Sequence, residues 1–240
     1  MTSWQMTSWK RAVALLSGVF CMTMAATAQP ADLPTPEQLF RAAEEHHGWD
    51  RLKAGIATVE AKADVKTGDR TYKTRVHGRA TEAGLGDATF EMMREGGTVT
   101  YGETDGTIWY EDQAGNRRHL AANMMEFVRG HQFHRRALFP RLELETMNNA
   151  VVETEFNGVR AFRISGTTQS GAALAYFFDE RDSAMLGYHL TVQEPDGPRP
   201  MEFILKDWRT SAGQSVFWQL EVRDRGTLYT YSFSKILLLP

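Results

Sequence analysis

Between Ala150 and Ile236 the chain is interrupted at short, regular intervals by turn signals: Asn157-Gly158, Ser170-Gly171, Arg181-Asp182-Ser183, Asp196-Gly197, Ala212-Gly213 and Arg225-Gly226. The runs between them are rich in Val, Ile, Phe, Tyr, Trp and Thr. Asn-Gly and Asp-Gly accept the positive φ of tight hairpin turns, and β-branched and aromatic side chains suit a pleated surface. The stretch therefore predicts an antiparallel meander of roughly six or seven strands. So much hairpin commits the chain to a large sheet, whose apolar face needs a covering layer.

The first half continues the pattern. Gly55 to Lys66 alternates, with Val59, Ala61, Ala63 and Val65 against Glu60, Lys62, Asp64 and Lys66. Such alternation reads as a half-buried strand with one wet face. Thr67-Gly68-Asp69 turns it into Arg70 to Thr81, and Gly84-Leu85-Gly86 is the next predicted turn, ahead of Ala88 to Glu95. Thr98 to Glu103 and Thr107 to Glu111, joined through Asp105-Gly106, bring this half to about five strands.

Two segments carry helical signals. Thr35 can cap, Pro36 suits the first helical position, and Gln38 completes a capping box. That helix runs to about His47, with Gly48 as its stop. The second spans Asn123 to Leu138, with Met124, Phe127, Val128, His131 and Leu138 near one face, and Pro140 closes it. Gly130 weakens it in the middle.

The histidines invite a metal or acid–base reading: His46-His47, and His131-x-x-His134 with His119 ahead of it. Adjacent helical residues point about 100° apart and serve one ion poorly. Spacing of three does put His131 and His134 on one side, but no His-Glu-x-x-His motif or paired carboxylates accompany them. The pattern favours solvated imidazoles at the end of the first helix. For the second helix it favours a partly exposed basic surface carrying Arg129, Arg135 and Arg136. The sequence also lacks a nucleophile elbow, a Walker loop and a dinucleotide fingerprint. The expectation is a protein that is not an enzyme and holds no metal or cofactor.

Charge and the N-terminus narrow the setting. The net charge is -3, and setting aside Lys10 and Arg11, the charges within residues 1–28, leaves 25 basic against 30 acidic residues. A general nucleic-acid binder needs a basic face, so that class is excluded. Lys10-Arg11 precede an apolar run that ends at Ala26-Thr27-Ala28, with small residues at the positions a signal peptidase reads. The run is interrupted by Ser17, Gly18 and Thr23, which makes it short for a membrane span. We expect a signal peptide over 1–28, cleaved after Ala28, and a single domain over 29–240 that is periplasmic or secreted and monomeric. Because the opening repeats itself, translation can start at Met1 or Met6. Cys21, the only cysteine, departs with the signal and leaves no disulfide framework.

The strands hold more apolar surface than one core face needs. Ala172 to Asp179 is apolar on both sides, Leu174, Tyr176 and Phe178 opposing Ala173, Ala175 and Phe177. Ser215 to Val222 groups Trp218 with Val216, Leu220 and Val222, and Leu228 to Phe233 groups Tyr229, Tyr231 and Phe233. Side chains of this size either fill the interior or line an apolar cavity. Met92-Met93 and Met124-Met125 suit an adaptable lining.

The arrangement resembles the LolA/LolB/LppX superfamily of lipoprotein- and lipid-binding proteins, which includes RseB-type regulators. The likeness is carried by the first helix leading through Gly48-Trp49-Asp50-Arg51-Leu52 into the strand Ile56 to Lys66, and then Arg70 to Thr81. It continues in Asp105-Gly106-Thr107-Ile108-Trp109-Tyr110, Leu138-Phe139-Pro140, Asn157 to Ile164 and Ala175-Tyr176-Phe177-Phe178-Asp179, spanning most of residues 35 to 236. The resemblance implies a mostly-β, α+β fold: a strongly curved antiparallel sheet of about eleven strands, an unclosed barrel with two or three helices over its concave face. It implies a periplasmic binding protein that shields acyl chains of a lipid or lipoprotein. Trp109, Met124, Phe127, Phe177 and Trp218 are the expected ligand contacts. The alternative is an envelope-stress or regulatory protein of the same fold, acting on a membrane-protein partner without carrying cargo.

Overall fold

The computed structural model describes residues 33–49, 57–81, 84–121, 124–194, 196–211 and 213–239. The signal-peptide reading of 1–28 with Cys21, the Asp50-Arg51-Leu52 link and the Asn123 cap lie outside these residues.

The first helix, α1 (Pro36–His47), forms as the sequence predicts. Thr35 and Gln38 close a capping box, and Gly48 ends the helix at φ 69°. That left-handed conformation costs a glycine nothing. Six strands follow: β1 (Ala57–Thr67), β2 (Arg70–Thr81), β3 (Gly84–Arg94), β4 (Gly97–Thr104), β5 (Thr107–Glu111) and β6 (Arg117–His119). Then come α2 (Met125–Gly130), α3 (Phe133–Leu138) and α4 (Pro140–Glu143). The remaining strands are β7 (Thr146–Met147), β8 (Val152–Phe156), β9 (Val159–Thr167), β10 (Ala173–Asp179), β11 (Met185–Glu194), β12 (Gly197–Ser211), β13 (Gln214–Asp224) and β14 (Thr227–Leu239). Hairpin turns fall where Asn-Gly and Asp-Gly sit: Asn157-Gly158 adopts φ 49° and 80°, and Asp105-Gly106 adopts 49° and 72°.

Among the described residues these strands form one antiparallel sheet of fourteen, ordered β6-β5-β4-β3-β2-β1-β14-β13-β12-β11-β10-β9-β7, with β8 beside β7 along β9. The chain therefore enters the sheet in its middle. β1 has β2 on one side and β14 on the other, paired from Thr58 with Leu239 to Lys66 with Thr230. The sheet stays unclosed, with β6 at one edge and β7 and β8 at the other. The connection from β6 to β7 must cross from edge to edge, and α2, α3 and α4 make that crossing over one face. In the crossing, α2 lies on β3 and β4, and α3 lies on β1 and β2.

The covered face holds the main core. Val59, Val65, Ile164, Leu190 and Leu220 meet Leu39 and Phe40 of α1 and Phe133 and Leu138 of α3. Phe40 stands edge-on to Phe178, with ring centroids 5.7 Å apart. Each such fully buried side chain stabilises the fold by about 1.5–3 kcal/mol. A second cluster of Phe156, Ala161, Phe177 and Ile204 occupies the opposite face.

Several expectations need correcting. The sheet has fourteen strands against about eleven expected. The excess comes chiefly from β6, of three residues, and β7, of two, which are too short to leave a periodic signal. Gly84-Leu85-Gly86 is strand, not turn, because β3 continues alongside the long β2 to Thr81. The helix expected over 123–138 breaks at His131-Gln132, where Gln132 leaves the helical region at φ -84° and ψ 53°. Its side-chain amide instead donates to the Thr89 carbonyl of β3 at 3.1 Å. Pro140 opens α4 rather than ending a helix.

Candidate ligand cavity

The crossover segment is pinned to the sheet by buried charge. Arg129 of α2 holds Glu103 of β4 through two bonds, Nε to Oε2 at 2.8 Å and a terminal nitrogen to Oε1 at 2.5 Å. Its other terminal nitrogen donates to the Gln169 side chain in the β9–β10 turn at 2.9 Å. Glu126 accepts from the hydroxyls of Thr168 and Ser170 at 2.7 and 2.6 Å, and from Arg136 at 3.2 Å. Arg136 also meets Glu143 of α4 at 2.8 Å. Burial pushes the Glu126 carboxyl up, but Arg136 and the two hydroxyls outweigh it and leave its pKa below the ordinary value.

These contacts overturn the expectation of a partly exposed basic helix. Arg129, Arg135 and Arg136 are 7%, 1% and 0% exposed. The acids that neutralise Arg129 and Arg136 come from β4, α2 and α4, too scattered in sequence for spacing to reveal. Arg135 has a carbonyl partner, Gly86 O at 3.3 Å, and burial lowers its pKa to about 10. It remains a cation at neutral pH.

The histidines do not assemble. His119 is exposed on β6. His134 is buried, stacks on Phe217 at 4.1 Å, and its Nε2–H donates to the Phe217 carbonyl at 3.0 Å. His131 donates from Nδ1 to the Phe127 carbonyl at 2.6 Å and stacks on Phe90. Burial pushes the pKa of each down to about 4. His47 corrects the solvated pair expected at the end of α1: His46 is exposed, but His47 is 2% exposed. It lies between Trp49 and Trp208, with ring centroids 4.3 and 4.2 Å away, and accepts from the Met185 amide at 3.0 Å. Burial, reinforced by His46, lowers its pKa to about 3. The aromatic walls come from Gly48-adjacent chain and from β12, which only the tertiary fold brings together. No group of three or more His, Cys, Asp or Glu side chains suited to a metal occurs among the described residues.

A cavity of about 440 Å³ lies under α2, between β2–β4 and β11–β14. Met124 and Phe127 form its roof. Its floor is built from cross-strand rows. Tyr72, Val65 and Tyr231 are partners across β2, β1 and β14, and Tyr229, Val222 and Phe203 across β14, β13 and β12. Met92 and Met201 add flexible side chains from the two sides. Volume and lining match those of sites for small apolar molecules. At the rim stand Arg94, Glu194, Arg199 and Asp224. Arg199 ties itself to Asp224 and to Glu194, the latter at 2.9 Å.

The five expected contact residues separate. Met124 and Phe127 line this cavity. Trp109 does not: it lies flat over Gly102, where an added Cβ would come within 2.2 Å of its ring, and Arg117 stacks on it at 3.7 Å. Its neighbours Tyr101 and Tyr110 point the other way, Tyr101 meeting Phe127 at 4.9 Å. Phe177 stacks on Phe156 at 4.4 Å in the cluster on the uncovered face. Trp218 sits on β13 where the pairing with β12 is interrupted at Asp207, a residue at φ 53°, with the Arg209 guanidinium 4.8 Å from its ring. The floor also holds Tyr229 and Tyr231, which the sequence groups on one face without counting them among the contacts, and Tyr72 and Arg94, which are outside that group. Their signal was present, since Tyr72, Tyr229 and Tyr231 fall at inward positions of alternating strands.

No protein-family profile matches the sequence, and no curated protein matches it. Solved structures do. The chain is similar to a domain from Vibrio parahaemolyticus described as outer membrane lipoprotein-sorting, with a TM-score of 0.54 at 11% identity, over 83% of this chain and 89% of that one. It is similar to a LolA superfamily protein from Nitrosomonas europaea, also at 0.54, with 9% identity over 87% of this chain and 95% of that one. The fold is that of the LolA superfamily.

Proposed function

We propose that this LolA-fold chain is an exported binding protein that shields an apolar ligand, an acyl chain of a lipid or lipoprotein, between its sheet and α2. The observation that carries the reading is the cavity of about 440 Å³ walled by Met124, Phe127, Met201 and Phe203. An interior packed to ordinary protein density leaves few voids larger than a water molecule. A space of this size, lined mainly by apolar side chains, gains from an apolar occupant about 0.8 kcal/mol per methylene removed from water. Among the described residues no helix is long and apolar enough to cross a membrane.

The test is titration of the purified protein with a neutral naphthylamine probe, N-phenyl-1-naphthylamine, followed by displacement with a saturated acyl compound. Saturable probe fluorescence that the acyl compound displaces is expected, together with loss of binding in Val222→Trp, which fills the floor. Absence of saturable binding in the wild-type protein, or full binding in Val222→Trp, sinks the reading.

A further inference from the structure

The rim of the cavity is not charged at random. Glu194 is held by Arg199 and Arg225, Asp224 by Arg199, and Glu126 by Arg136. Each carboxylate bordering the space thus has its own guanidinium. Arg94 differs. Among the described residues lining the cavity it is the cation that pairs with no carboxylate. It ends β3 two residues beyond Met92, so its side chain leaves the strand on the same, inward face. Its guanidinium carbon lies 5.4 Å from the Tyr72 ring, and its charge also acts on Tyr101.

The phenols beside it are donors. Burial raises the pKa of Tyr72 and Tyr101 above the ordinary value despite Arg94, so both keep their protons at neutral pH. Burial raises the pKa of Tyr231 as well, so it too keeps its proton. A wall meant for hydrocarbon alone has no use for a guanidinium and phenols at one place on its rim, because unmatched polar groups lower its affinity for an alkane. An anion placed there would satisfy both. Space sets the other limit. A methylene takes roughly the liquid volume of a water molecule, about 30 Å³. The 440 Å³ available therefore matches one chain of on the order of fifteen carbons.

We infer that the cavity takes a single-chain anionic amphiphile, its hydrocarbon under Met124 and Phe127 and its carboxylate or phosphate head at the rim, held by Arg94 with Tyr72 and Tyr101. This rests on the proposed apolar-ligand reading and names the class of ligand within it. A guanidinium and an anionic head form charge-assisted hydrogen bonds, stronger than neutral ones, so head-group charge sets the affinity ranking.

The experiment displaces the neutral naphthylamine probe from wild-type protein and from Arg94→Gln with tetradecanoate, tetradecyl phosphate and tetradecan-1-ol, each below its micelle concentration. Native mass spectrometry counts the bound chains. Wild-type protein should bind at least one of the anions about tenfold more tightly than the alcohol, one per chain. Arg94→Gln should remove that advantage and leave the alcohol and the melting temperature unchanged. The anion that loses more identifies the head group, carboxylate or phosphate. Equal affinity of alcohol and anions in the wild type, an unchanged anion advantage in Arg94→Gln, or two chains bound per protein overturns the inference while leaving the apolar-ligand reading standing. If none of the three displaces the probe, or the probe itself does not bind, both fall.

Discussion

Arg129 and Glu103 stand 26 residues apart and meet in a two-point ion pair inside the molecule, Nε to Oε2 at 2.8 Å. The pair joins α2 to β4, and the same guanidinium reaches Gln169 at 2.9 Å, so one side chain spans from one half of the sheet to the other. Removing either partner leaves a buried charge unmatched, which costs about 3–5 kcal/mol. Glu103→Gln and Arg129→Met should each lower stability by roughly that amount, and the double variant should recover part of the loss. Urea unfolding of the four proteins measures the coupling, and strictly additive losses would show that the pair does not hold α2 down.

Acid should weaken the fold through two buried imidazoles, His47 and His134, and the half-buried His131. His47 titrates at about 3, and His131 and His134 at about 4, against about 6.5 in the unfolded chain. The unfolded state therefore binds protons first as the pH drops. The stability these groups contribute is complete above about pH 6.5 and declines from there toward pH 3–4. For His47 alone the loss by pH 5 is about 2 kcal/mol. Unfolding free energies at pH 7.5 and 5.0 should differ less in His47→Gln than in the wild type. An unchanged difference refutes a buried neutral His47.

Trp109 and Phe127 should separate stability from binding. Trp109 is 6% exposed and covers Gly102 on the face away from the cavity. Trp109→Ala should cost about 3 kcal/mol and leave probe affinity unaltered. Phe127 is half-buried in the roof, and Phe127→Ala should weaken the probe at least about fivefold for a smaller loss of stability. Paired melting curves and probe titrations decide it, and a binding defect in Trp109→Ala would place the ligand elsewhere.

Gly48 couples the end of α1 to the β12–β13 turn. A Cβ there would lie 2.0 Å from the Gly213 carbonyl oxygen, and the residue sits at φ 69°. Gly48→Ala should therefore cost more than the about 1–2 kcal/mol of a left-handed alanine alone. It should also displace Trp49, whose Nε1–H donates to the Ser215 carbonyl at 2.8 Å, shifting tryptophan emission to the red. Wild-type emission and melting temperature in this variant would contradict the contact.

The hairpin ladder was legible because its information is local. Alternation and positive-φ turn residues set strand after strand, and Thr35, Gln38 and Gly48 bounded α1 within the stretch that forms it. What escaped depended on partners distant in sequence. Arg136 looks like a solvated helix end until Glu126 and Glu143 are brought to it, and His47 looks exposed until Trp208 covers it. The large aromatics were a sound sign of surplus apolar surface, yet Phe177 and Phe156 spend theirs on each other across the uncovered face. The space that remains is walled by tyrosines and methionines at strand positions whose inward direction the alternation had already marked.

The join between β1 and β14 carries a consequence for how the protein is made. Within the ladder, Ser234 of β14 bonds the Lys62 carbonyl of β1 across 172 residues of chain, whereas most other ladders join strands that are neighbours in sequence. Closing a loop of that length is entropically costly before its contacts form, and topologies dominated by distant contacts fold slowly. The central seam therefore waits for the last strand to be synthesised. Until then the side of β1 that β14 will occupy is an unpaired edge.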